Sequence, residues 1–113
     1  MAVKHRIIRN NGKKWQSNSQ INGLVNEIKS KIDSYKSNTN FDRNEAVKEL
    51  KQYVQNLISN AKLSGESQNQ FYNWTTKYMR SIVKLSEANT QPQINEALDL
   101  LSQDMKDYFQ NFE

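Results

Sequence analysis

The chain has 113 residues, 35% apolar and 25% charged, with 16 Lys and Arg against 12 Asp and Glu for a formal net charge of +4. One small domain fits this length, because globular domains run to roughly 100–200 residues and nothing is left over for a second core. The absence of cysteine excludes disulfides, thiolate metal sites and a thiol nucleophile, and a single histidine, His5, leaves little for transition-metal or acid–base chemistry.

No apolar run approaches the roughly 18–20 residues that span a bilayer, and the first residues lack the apolar block of a signal peptide. The expectation is a soluble cytoplasmic protein with no transmembrane segment, intracellular or carried in a virion. Asn and Gln together number 25 and Lys outnumbers Arg 12 to 4, the usage of an A/T-rich genome such as that of a low-GC bacterium, its phage or a plasmid.

Residues 1–16 read as a basic N-terminal arm: Val3, Ile7, Ile8 and Trp15 follow no helical period, and Asn10, Asn11 and Gly12 interrupt them. Residues 17–113 read as a four-helix bundle with helices over about 18–36, 42–63, 67–87 and 91–112. In the first, Ile21, Val25, Ile28, Ile32 and Tyr35 are spaced 4, 3, 4, 3, the rhythm of one helical face. The second opens at Asp42, which with Glu45 forms a capping pair, while Phe41 is placed to staple against Ala46. Its inward residues are Val47, Leu50, Val54, Leu57 and Ala61, and Ser64-Gly65 supplies the stop. Helix three starts near Ser67 and presents Phe71, Thr75, Tyr78, Ile82 and Leu85, with Trp74 beside them. Thr90 and Gln93 form a capping box for helix four, with Pro92 in the first turn, ahead of Ile94, Leu98, Leu101, Met105, Tyr108 and Phe112.

Four apolar stripes of similar length joined by short loops bury one another most simply as an antiparallel up-down-up-down bundle, an all-α fold. Heptad-like spacing is also compatible with helical hairpins that complete their core as a homodimer.

Charge is unevenly placed. Residues 1–26 carry +5, residues 27–86 carry +4 and residues 87–113 carry −5. At 100° per residue Lys77, Arg80 and Lys84 share an outer stripe of helix three, and Glu96, Asp99, Gln103 and Asp107 share one on helix four. Either these stripes are solvated faces that keep the bundle soluble, or Lys4, Arg6, Arg9, Lys13, Lys14 and Trp15 of the arm form a nucleic-acid footprint with Lys77, Arg80 and Lys84, because lysine and arginine neutralise phosphates and release counterions. Trp15 is placed either to stack on a base or to lid the end of the bundle. Phe71, Trp74 and Tyr78 belong to the core stripe. Tyr72, Met79 and Val83 lie to one side of it and form the candidate protein-binding strip, since aromatic residues and Met are enriched at interfaces.

Enzyme templates find no footing. The three glycines are isolated, so no phosphate loop exists, and no HExxH or His/Cys cluster is present. Carboxylate pairs such as Asp42 and Glu45 are explained by capping. The expectation is no enzyme, no catalytic residue, no metal ligand and no cofactor. Function by binding follows: an accessory protein of nucleic acid or a nucleoprotein complex, or alternatively a docking module for a host or viral protein, such as a phage-encoded inhibitor or a virion subunit. In length, basic balance, lack of cysteine and helix count the chain is also similar to the small bacteriocin immunity proteins, which implies a membrane-peripheral role. No motif carries that likeness, and no residue role follows from it.

Overall fold

Apolar residues recurring every three or four positions, punctuated by short polar breaks, give helices wherever the spacing holds. The computed structural model describes residues 12–38, 41–63 and 65–113. It contains α1 (Ser19–Ser37), α2 (Arg43–Asn60), α3 (Gly65–Glu87) and α4 (Gln91–Asn111). The fold is an all-α four-helix bundle.

Side-chain caps set three of the helix starts. Asn18 Oδ1 accepts from the Ile21 backbone N–H at 2.8 Å, and Asp42 Oδ1 accepts from those of Asn44 and Glu45 at 3.0 and 3.2 Å. At α4 the capping box is complete. The Gln93 N–H donates to Thr90 Oγ1 and the Thr90 N–H to Gln93 Oε1, both at 3.3 Å, with Pro92 in the first turn where a missing N–H is harmless.

The junction of α2 and α3 departs from the expected bounds. α2 stops at Asn60 rather than residue 63, with the Ala61 N–H turned back to the Ile58 carbonyl at 3.2 Å. α3 begins at Gly65, before Ser67. Gly65 has φ +59°, a left-handed conformation that glycine takes without steric cost, so the chain reverses on that residue and enters the helix at once. The Leu63 N–H is taken up by Gln68 Oε1 at 3.2 Å, one turn inside α3.

The helices form a ring in which α1 packs on α2, α2 on α3, α3 on α4 and α4 on α1. Asn18 at the start of α1 donates to the carbonyl of Asn60 at the end of α2, and the Arg43 guanidinium at the start of α2 donates to the Ala88 carbonyl just past α3. Closure of α4 on α1 covers the core within one chain, so hairpins that need a second copy to bury their stripes are not the arrangement found.

Ile21, Val25, Ile28, Leu50, Leu57, Phe71, Trp74, Tyr78, Ile82, Leu85, Leu101 and Tyr108 are completely buried. At the α3–α4 side the core is aromatic. Trp74 stacks on Tyr78 at 5.5 Å, Tyr108 stacks on Phe112 at 5.0 Å, and Phe71 meets Phe112 edge-on at 6.2 Å. Such pairs add to burial because ring edges and faces carry opposite partial charge. Each helix thus buries most of the residues its spacing selected, with Tyr35 and Ile94 partly buried at the edge of the core.

Residues 15–17 are tied down against the end of α4. The Trp15 N–H donates to the Asn111 carbonyl at 2.8 Å, the Glu113 N–H to the Trp15 carbonyl at 3.0 Å, and the Ser17 N–H to the Glu113 carbonyl at 2.9 Å. Trp15 and Phe112 form a parallel bridge, and the indole packs half-buried on the core. The Tyr108 hydroxyl completes this clasp, 2.6 Å from both Ser17 Oγ and Asn22 Oδ1. Burial pushes that phenol up to about 12.

Candidate functional site at the α3–α4 seam

Perturbed titratable groups mark functional sites more often than ordinary surface charges do. The seam between α3 and α4 brings together Lys77 and Ser81 from α3 with Gln103, Asp104 and Asp107 from α4. The contact of Phe71 with Phe112 holds the two helices together, and Trp74 Nε1 donates to the Asp104 carbonyl at 2.8 Å. That bond anchors the backbone from which the Asp104 carboxyl projects.

Asp104 is only 2% exposed, and its Oδ2 has no hydrogen-bond partner among the described residues. Burial pushes its carboxyl up to about 6, and the nearby charge of Asp107 pushes the same way. Ser81 and the Lys77 ammonium pull it down, less strongly. Desolvation disfavours the charged form of an acid, so Asp104 exchanges its proton near neutral pH. Asp107 is paired on both oxygens: its Oδ2 pairs with Lys77 Nζ and its Oδ1 accepts from Gln103 Nε2 at 3.2 Å.

The expected outer stripes need one correction here. Lys77 is half-buried and spends its charge on Asp107, so the cations of α3 that stand out are Arg80 and Lys84. The acidic stripe of α4 is likewise split: Glu96, Asp99 and Gln103 are exposed, whereas Asp107 faces α3. Lys84 borders a hollow of about 290 Å³ that it shares with Glu87 and Glu96, which offset part of its field.

Of the arm residues, Lys13 and Lys14 are exposed, Trp15 is half-buried in the clasp, and Lys4, Arg6 and Arg9 lie outside the described residues. Tyr72 and Val83 are exposed at 41% and 44%, whereas Met79 packs against the core, so the expected Tyr-Met-Val strip is interrupted at its centre. An open groove of about 520 Å³ between α1 and α2 is lined by Leu24, Glu27, Glu45, Glu49 and Tyr53 among others. Its carboxylates repel phosphate. Glu49 is held ionised, below its ordinary range, by the Tyr35 hydroxyl at 2.8 Å and by Lys31 at 3.1 Å.

Asp104 escaped the sequence reading, although a signal was present. Ala97, Leu101, Asp104 and Tyr108 are spaced 4, 3, 4, which places the carboxylate in an apolar register between two buried residues.

A family model for the PIN domain matches residues 14–110, from the start of the clasp to the last turn of α4. The chain belongs to the PIN-domain family. PIN domains act on nucleic acids and are in general nucleases, which overturns the expectation of no enzyme and, with it, the reading as a non-enzymatic accessory binder, docking module or immunity-like protein. Nucleic acid as the partner agrees with the family. No curated protein and no solved structure matches the chain. Among the described residues no helix is long and apolar enough to cross a membrane.

The family residues matched leave out positions 1–13, so Lys4, Arg6, Arg9 and Lys13 fall outside the PIN domain proper while Lys14 and Trp15 fall within it.

Proposed function

We propose that the chain is a nuclease of the PIN family, acting on the phosphodiester backbone of nucleic acid. The observation that carries this reading is the PIN-domain match across residues 14–110, which takes in all four helices. Two features of the molecule support it. Its formal charge of +4 favours a polyanionic substrate. Exposed Lys13 and Lys14 beside the clasp, with Arg80 and Lys84 on the outer face of α3, supply groups that neutralise phosphates, and the sequence adds Lys4, Arg6 and Arg9, which lie outside the described residues.

Each phosphate neutralised contributes to a salt-dependent affinity, with log K falling against log salt by roughly 0.7 per contact on a single strand and 0.9 on duplex. The test is cleavage of end-labelled RNA and of single-stranded DNA by the purified chain, resolved on denaturing gels. Wild type is compared with the double variant Arg80→Ala/Lys84→Ala. Both positions are exposed, so the fold is expected to survive. Cleavage by wild type that drops at least severalfold in the double variant, with a shallower salt slope of binding, supports the proposal. Wild type that leaves both substrates intact sinks it, and cleavage unchanged in the double variant removes α3 from the footprint.

A further inference from the structure

Nucleases commonly stabilise the developing charge on phosphate with divalent cations, and these require hard oxygen ligands converging on one point at roughly 2 Å. Whether this chain can offer such a point is decided by its carboxylates. All 12 acids of the sequence lie among the described residues, and His5 is the one His, Cys, Asp or Glu that does not. Among the described residues no group of three or more of these side chains could hold a metal ion.

Two places come nearest, and in each the best-placed acid is already paired. At the α3–α4 seam Asp104 and Asp107 lie one turn apart on α4, but the ammonium of Lys77 occupies the cation position against Asp107, whose other oxygen accepts from Gln103. Asp104 keeps a bare Oδ2, yet at 2% exposure it is shut off from the solvent that supplies the waters Mg²⁺ retains. In the α1–α2 groove Glu49 is tied to Tyr35 and Lys31, which leaves Glu27 and Glu45 exposed to solvent without a third ligand. Of the other seven acids, Asp42 caps α2, Asp99 pairs with Lys36 at 3.0 Å and Glu66 accepts from Gln70 at 2.6 Å, while Asp33, Glu87, Glu96 and Glu113 are exposed and belong to no group of three.

From this donor set we infer that the chain has no carboxylate-held divalent-cation centre of its own: its acids are capped, paired, enclosed or exposed in groups too small to surround an ion. The role of this inference in catalysis rests on the nuclease reading, in which lysine and arginine then supply the positive charge that faces phosphate; the inference itself does not.

Mn²⁺ titrated into the ¹⁵N-labelled full chain tests it through paramagnetic loss of amide signals. The expected result is weak loss of signal around exposed acids that grows in proportion to Mn²⁺ through the millimolar range, without saturation. Asp107→Asn and Glu45→Gln, both outside the buried core, are expected to remove no more than the weak loss local to the substituted acid. Saturable loss centred on the seam or on the α1–α2 groove overturns the inference, and abolition of that loss by either variant identifies the ligands. Failure of the cleavage assay removes the proposed function and leaves this titration to decide the cation question alone.

Discussion

Replacing Asp104 with asparagine tests the account of the α3–α4 seam most directly. Folding raises this carboxyl from 3.8 to about 6, chiefly through burial, so the folded chain binds its proton more tightly than the unfolded chain does. The stability this group contributes is therefore fully present below pH 3.8 and is lost as pH rises through about 6. The difference between the two values corresponds to about 3 kcal/mol, an order-of-magnitude figure. Asparagine keeps the shape and cannot ionise. Asp104→Asn is therefore expected to lie within about 1 kcal/mol of wild type at pH 4 and to become more stable than wild type by up to about 3 kcal/mol at pH 8. Urea unfolding at unit steps from pH 4 to 8 measures this, and the difference between the proteins cancels the titration of Glu49, which moves the other way. A wild-type-minus-variant difference that stays constant within about 0.5 kcal/mol across the range refutes the assignment of Asp104 as a buried, ionising acid.

Three further outcomes are expected. Lys77→Met removes the partner of Asp107 and a cation that holds Asp104 down, so stability at neutral pH falls by about 1 kcal/mol and the Asp104 titration, followed by carboxyl ¹³C shift, moves to higher pH. Tyr108→Phe deletes the hydroxyl shared by Ser17 and Asn22, costing about 1–2 kcal/mol in thermal or urea unfolding and speeding hydrogen exchange at the Trp15 and Glu113 amides. Gly23→Ala places a methyl in open space on an exposed stretch inside α1 and raises stability by about 0.5–1 kcal/mol, read as a higher urea midpoint at unchanged slope.

Helix order was legible because local chemistry and global packing agree along most of the chain. Ile21, Val25, Ile28 and Ile32 keep one face of α1, and Thr90, Pro92 and Gln93 mark the start of α4 by a mechanism confined to four residues. Where partners are distant in sequence, spacing alone says nothing. Trp15 meets Phe112 through backbone bonds, which no side-chain pattern encodes, and an irregular segment rich in cations therefore reads as an arm although its last residues are clasped. Asp104 illustrates a second limit: counting it with the acids of the last helix hides that its register is apolar. Lys77 is the mirror case, a cation assigned to the outer stripe that leans across the seam to Asp107. Membership in the PIN family was not legible at all, because the acids are dispersed over caps and ion pairs and form no compact signature that a reader of residues could recognise.

Closure of α4 onto α1, sealed by backbone pairing between residues 15–17 and 111–113, bears on when this molecule acquires its shape. Translation delivers the first two helices early, with one apolar flank each still bare, and they must wait for the final turn before the ring can shut. Such wide separation between partners slows assembly and prolongs exposure of sticky surface until α4 is in place.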